Sequence, residues 1–240
     1  MFADTDNMVS RPALSTSGHC IDCPAVRGNQ LRELIGTCTE NCSFESFSVE
    51  AREVLPASRL TRGTLVLVRR GVILRQRLDG SGSPVAVDIV GTGGAFVVSG
   101  RNEEDMRRTS AFAVDRSLYC VLEESRLMEQ LRNAHDSVAD LHRIQCEMTY
   151  RLERVSDARG RSNVRSRIAA ILCTLADTLT PQSGRRERLP SALLQRDIGT
   201  LASTRHESVC RILRDFSAEG LVQHGPDGIH ILNHEALAAI

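Results

Sequence analysis

The chain contains no lysine, so all 30 of its basic residues are arginine. Arginine suits phosphate forks and bidentate guanine contacts, but a bias this uniform along the whole chain is not evidence for any one site. No apolar run approaches the length of a membrane span, which excludes a spanning helix of ordinary composition. The chain also lacks a basic start followed by an apolar core, so no secretory signal is expected and the sequence reads as cytoplasmic. Without such a signal, the eight cysteines point to metal or redox chemistry rather than a disulfide scaffold. No nucleophile stands paired with a base and no carboxylate dyad occurs, so catalysis has no candidate and the expectation is not an enzyme. Net charge is missing too, with 30 acidic residues against 30 basic. That balance would ordinarily count against nucleic acid, but it is uneven: residues 151–214 carry 13 Arg against 6 Asp or Glu.

What is present divides the chain into four parts. Residues 1–42 hold few large apolar side chains but four cysteines, Cys20, Cys23, Cys38 and Cys42. They read as an arm, with some helix around Gln30 to Thr37. Over 43–128 the pattern becomes short strands, at Thr64–Val68, Val72–Leu78, Val85–Val90, Ser110–Val114 and Leu118–Leu122. Turns at Arg70-Gly71, Asp79-Gly80-Ser81-Gly82 and Gly91-Thr92-Gly93-Gly94 separate them. Such spacing suggests a small antiparallel barrel or roll. The Gly91 stretch is too short for a dinucleotide loop and lacks a following helix, and Glu103-Glu104-Asp105 with Arg107 and Arg108 reads as a solvated loop.

No Gly or Pro occurs between Gly100 and Gly160, so 129–162 can hold a long helix, placed at about Asn133 to Ala158. Leu141, Ile144, Met148, Leu152 and Val155 follow a three-four spacing that makes a narrow seam on it. A stripe that narrow on a helix that long predicts pairing with its own copy. A helix lying on the barrel would call for a wider apolar face. Residues 163–240 begin with a further helix, about Asn163 to Leu179, which presents Ile168, Ile171, Leu172, Leu175 and Leu179 to one side.

The stretch from Leu193 to Arg214 reads as a helix-turn-helix. Ile198, Gly199, Leu201 and Ala202 share a face of a short first helix, and Val209, Ile212, Leu213 and Phe216 repeat the pattern after Ser203-Thr204. A side chain at Gly199 would hold the second helix away from the first. Arg205, His206, Glu207, Cys210, Arg211 and Arg214 remain outward, a polar face able to meet base edges and phosphates. Leu221–His224 and Ile229–Leu232 then form a two-stranded wing around the Gly225-Pro226-Asp227-Gly228 turn. The expected class is α+β: a Cys-rich arm, a β-roll, a long dimerisation helix and a winged helix-turn-helix.

This order of parts resembles the CRP/FNR superfamily of transcription regulators along almost the whole chain. The most specific match is Arg196-Asp-Ile-Gly199 followed by Glu207-Ser-Val-Cys-Arg211, which looks like the family's recognition segment. The resemblance implies a cupin-like, cyclic-nucleotide-binding-like sensor roll. It also implies a homodimer on double-stranded DNA, at a palindromic operator with a TTGA or TGA-like core. Arg211 would contact guanine and Glu207 would accept from base amino groups; RNA polymerase would be a further partner of an activator. Residues i and i+4 share a helix face, and Arg forks onto guanine O6 and N7. Ser203 departs from the pattern, standing where the family usually has Gly, and His206 and Cys210 are uncommon at their positions.

For the sensor, the cyclic-nucleotide branch carries a Gly-Glu pair and a later Arg-Ser/Thr-Ala. Neither the acid nor the Arg is in register within Gly91–Phe96 and Thr109–Ala113, so cyclic nucleotide is not expected. The oxygen-sensing FNR branch fits better. His19-Cys20-Ile-Asp-Cys23 resembles its first two cluster cysteines, and Ser117-Leu-Tyr-Cys120 its roll cysteine. The resemblance thus implies an iron-sulfur cluster of the [4Fe-4S] kind on Cys20, Cys23 and Cys120, answering to oxygen, nitric oxide or redox state. Thiolates suit such clusters. The branch's third cysteine follows soon after the second, whereas Pro24–Leu31 has none, so either Cys38 or Cys42 supplies the remaining ligand or the cluster is of another type. Rival sensors are haem, a thiol-disulfide switch through Cys38 and Cys42, or none. A rival of another class is a zinc-stabilised protein-protein interaction module. Cys146, Cys173 and Cys210 read as non-ligands, while His142 and His19 are the histidines a metal could recruit.

Overall fold

The computed structural model describes residues 44–133, 136–179, 188–226 and 228–240. The arm, and with it Cys20, Cys23, Cys38, Cys42, His19 and the helix expected near Gln30, lies outside the described residues. From residue 44 the chain forms β1 (Glu45–Val49), β2 (Leu65–Arg70), β3 (Ile73–Leu78), β4 (Pro84–Val90), β5 (Ala95–Val97), α1 (Glu103–Arg107), β6 (Thr109–Ala113) and β7 (Ser117–Leu122). Then come α2 (Glu124–Asn133), α3 (Asp136–Gly160), α4 (Val164–Leu179), α5 (Gln195–Leu201), α6 (His206–Ala218), β8 (Val222–Gly225), β9 (Gly228–Ile231) and α7 (His234–Ala238).

Seven strands make the roll as two antiparallel sheets, in the orders β1-β7-β2-β5 and β4-β3-β6. Period-two alternation aims Phe47, Val66, Val68, Ile73, Phe96 and Tyr119 into the space between the sheets. The five expected strands are present within a residue or two, and β1 and β5 are additional. β1 pairs with β7 in the register Ser46 opposite Cys120. β5 is only three residues long and follows the Gly91–Gly94 turn, so it offers no period to read. The acidic stretch expected as a loop forms the short helix α1, because the Asn102 side chain accepts from the Asp105 N–H at 2.9 Å and caps it.

Both sheets are covered on their outer faces as well. Leu65, Leu67, Ala95, Cys120 and Leu122 lie under Leu127 of α2 and Ile144 of α3. Val72, Leu74, Ala86, Ile89 and Val114 share one continuous core with α4 and the helix-turn-helix, through Leu172, Leu175, Ile198 and Phe216. The carboxy-terminal unit therefore docks on the roll rather than hanging from it.

The long helix arrives as two pieces, α2 and α3. The seam expected to pair with a second copy is occupied within the chain: Ile144 and Val155 are each 2% exposed, and Leu141 and Met148 pack half-buried against the roll clusters. Leu152 is half-buried on the same helix. A narrow stripe suffices to seat a helix on this barrel because an ion cluster shares the face. Asp88 of β4 is fully buried; Arg151 of α3 donates to it at 3.0 and 3.3 Å and Arg75 of β3 at 3.3 Å. The Arg151 fork also reaches the Ala95 carbonyl at 2.8 Å. The face α3 leaves outward carries Val138, His142, Gln145, Cys146, Thr149 and Tyr150.

Candidate nucleic-acid interface

The helix-turn-helix, the candidate reader of nucleic acid, is built on apolar packing between α5 and α6. Ile198, Leu201, Ala202, Val209, Leu213 and Phe216 are all 0–1% exposed. Gly199 lies at the crossing: a Cβ there would sit 2.8 Å from the Thr204 carbonyl oxygen, closer than carbon and oxygen tolerate. The turn between the helices uses Ser203 at φ 49°, the left-handed region that a side chain makes costly by about 1 kcal/mol. Asp197 starts α5 by accepting the Leu194 N–H at 2.9 Å, which satisfies one orphan donor of the helix.

That packing decides what α6 shows to solvent. Arg205, His206, Glu207, Arg211 and Arg214 are exposed. Glu207, Arg211 and Arg214 fall at i, i+4 and i+7 and form one stripe. His206 Nδ1 lies 3.5 Å from the Glu207 carboxylate, so the anionic end of the stripe has a neighbour that protonation would make cationic. Cys210 is only half exposed, its thiol donating to the Gln195 side-chain oxygen. Gln195 in turn lies 3.4 Å from Nε2 of His224 on the wing. Cys210, placed by the sequence among the outward readers, thus helps tie α6 to α5 and the wing. Gln195 and His224 were not singled out by sequence reasoning, since no local pattern marks a contact 29 residues apart. Arg196, next to Gln195 on α5, is exposed.

The reader's scaffold helix is held from outside at both ends. Arg52, after β1, donates to the Asp197 carboxylate at 2.8 and 3.0 Å and also to the Ala192 carbonyl. Arg159, near the end of α3, donates to the Leu201 and Thr200 carbonyls at 2.8 and 3.3 Å and to Ala86 of β4. Burial pushes the Arg159 guanidinium below its ordinary pKa. It remains cationic at neutral pH, because arginine starts so high.

Of the expected cluster ligands, only Cys120 lies among the described residues. It is 4% exposed on β7, under α2 and α3, with its sulfur 3.7 Å from the Ser46 hydroxyl. Phe44, the first described residue, packs in the same apolar cluster as this thiol. Among the described residues no three His, Cys, Asp or Glu side chains converge as a metal site. Arg107 lies 3.6 Å from Glu103, and Arg108 donates to the Asp79 carbonyl at 2.6 Å.

Comparison with known proteins gives this arrangement a context. Residues 166–240 match the family of Crp-like helix-turn-helix domains. No curated protein matches by sequence. Among solved structures, FixK2 from Bradyrhizobium japonicum is similar at 18% identity and TM-score 0.66, over 81% of this chain and 95% of that one. A cyclic nucleotide-binding domain containing protein from Listeria monocytogenes is similar at 14% identity and TM-score 0.69, over 86% and 99%. A transcriptional regulator of the CRP/FNR family from Thermus thermophilus is similar at 20% identity and TM-score 0.57, over 82% and 99%. The shared property is the fold: a β-roll, a long helix and a Crp-like helix-turn-helix in one chain.

Proposed function

We propose that this chain is a CRP/FNR-type transcription regulator that binds double-stranded DNA as a homodimer, with α6 in the major groove. The observation that carries this reading is the stripe of Glu207, Arg211 and Arg214, exposed above a buried helix pair. Arg211 forks onto guanine, and Glu207, one turn earlier, accepts from a base amino group. Two readers related by a two-fold axis meet a palindrome with half-sites about one helical turn apart. The test is selection of bound duplexes from a random pool, followed by titration of Arg211→Ala on the selected site. A palindrome is expected, with a loss of about 1–3 kcal/mol in the variant at matched salt. Unchanged affinity in Arg211→Ala would favour a winged helix that binds protein instead.

We further propose that the signal enters through an iron-sulfur cluster held by Cys20, Cys23 and Cys120, with Cys38 or Cys42 completing the set. What supports it is the position of Cys120 beside Ser46 and Phe44, where the arm that carries the other thiols joins the roll. Bound there, the cluster would supply a redox-labile link whose loss on meeting oxygen or nitric oxide frees the arm. Cys120 would anchor it to the sheet face covered by α2 and α3. Anaerobically purified protein should contain iron and sulfide and absorb broadly in the visible. Their absence would leave a regulator with another sensor.

A further inference from the structure

One pair of metal-binding side chains stands apart from the arm and the roll. His142 and Cys146 project from the outward face of α3, four residues apart and so one turn apart on the same side. The Cys146 sulfur lies 3.7 Å from Nε2 and 3.8 Å from Nδ1 of His142. A tetrahedral zinc(II), with bonds of about 2.3 Å to sulfur and about 2.0–2.1 Å to nitrogen, holds those two atoms about 3.5 Å apart. The sulfur–nitrogen separation matches that span, and because both side chains are exposed, a turn of the imidazole about its side-chain torsions aims one nitrogen at an ion shared with the sulfur.

Within one chain the pair supplies two ligands and no described side chain adds a third, so an ion held there would be half coordinated. The face on which it lies is the one α3 keeps free when its apolar seam is spent on the roll. In a parallel two-fold helix pair, each residue near the axis faces its own copy. Ala139 and Thr149 flank His142 and Cys146 on this outward face, and both are small enough to allow close approach.

We propose that His142 and Cys146 of two chains together form a tetrahedral site for zinc(II) or a similar divalent ion, with two nitrogen and two sulfur ligands. The thiols bind as thiolates, so occupation releases their protons to solvent. The site would tie the two dimer helices together independently of the arm. This inference rests on the homodimer reading above.

The test uses the full chain. Its mass in solution is measured by light scattering, with chelator and with metal, and cobalt(II) is titrated as a spectroscopic probe into the parent, Cys146→Ser and His142→Ala. The arm cysteines contribute equally to all three, so the differences isolate the pair. The parent should take up roughly half an equivalent more per chain than either variant, with thiolate-to-cobalt absorption in both difference spectra. A parent that dimerises only with metal, beside monomeric variants, would support the site equally. Equal uptake by three dimers, loss in Cys146→Ser alone, or a Cys146 disulfide between copies would each overturn the site and leave the dimer standing. A chain monomeric under all conditions would overturn the dimer reading and the shared ion with it.

Discussion

Arg52 of the roll and Asp197 of the reader's first helix are 145 residues apart in sequence and joined by two hydrogen bonds, at 2.8 and 3.0 Å. The Asp197 side chain is 5% exposed and the Arg52 side chain 25%. The pair is thus buried on the reader's side and open on the roll's. Removing Arg52 leaves a nearly buried carboxylate with only its cap bond, a change worth about 1–3 kcal/mol, below the figure for a fully buried pair. We expect Arg52→Ala to lower the melting temperature. Asp197→Ala should lower it further, since it also loses the cap to Leu194. Equal melting of Arg52→Ala and parent would mean that the docking rests on apolar contact alone.

The second ion cluster is closed to solvent. Asp88 has no exposure and neutralises part of two buried guanidiniums, Arg75 and Arg151. Burial pushes Arg75 below its ordinary pKa, and Asp88 opposes that shift. Asp88→Asn would leave two like charges in contact under cover, and a broken buried pair costs about 3–5 kcal/mol. The expected result is a markedly destabilised roll in chemical denaturation. Replacing Asp88, Arg75 and Arg151 together by apolar residues should recover much of the loss, and a triple variant no better than Asp88→Asn would contradict this account.

Cys173 on α4 is 3% exposed, and burial, with Asp177 adding to it, raises its thiol pKa to about 11. The unfolded thiol ionises near its ordinary value of 9.0. Its contribution to stability is therefore complete below pH 9 and is lost as pH rises through about 11. At neutral pH the folded thiol is both protonated and covered. With chelator present, so that no ion masks Cys146, short maleimide treatment followed by peptide mapping should modify exposed Cys146 and spare Cys173. Comparable labelling of the two would show that α4 opens readily.

The reader was legible in the sequence because its signals are local. Val209, Ile212, Leu213 and Phe216 repeat within one helix, and Gly199 and Ser203 mark the crossing and the turn. Five strands were legible from their alternation, whereas β1 and β5 were not: one adjoins the arm and the other is too short to show a period. The seam of α3 was assigned to a second copy, whereas it packs on the roll, and the reason is physical. A helix lying on a roll and a helix pairing with its copy can both present one large apolar residue per turn, and here Arg151 completes the roll-facing side by reaching Asp88. The grip of Arg52 and Arg159 on α5 could not be read at all, since nothing in the neighbourhood of either arginine signals a partner so distant in sequence.

The turn of the reader offers two opposite changes four residues apart, at Gly199 and Ser203. Gly199→Ala places a methyl 2.8 Å from the Thr204 carbonyl oxygen. Because the obstacle is backbone, α6 must shift, and overpacking of this kind costs about 1–3 kcal/mol. Ser203→Gly removes the strain of a side chain at φ 49°. That gain, about 1 kcal/mol, is partly offset by the greater freedom of glycine in the unfolded chain. Gly199→Ala should therefore melt lower and bind the selected operator more weakly, because Glu207 and Arg211 move with α6. Ser203→Gly should melt at or slightly above the parent and keep its affinity. If Ser203→Gly instead weakened DNA binding while raising stability, the serine would be contacting the DNA backbone, and its strained conformation would belong to recognition rather than to the turn alone.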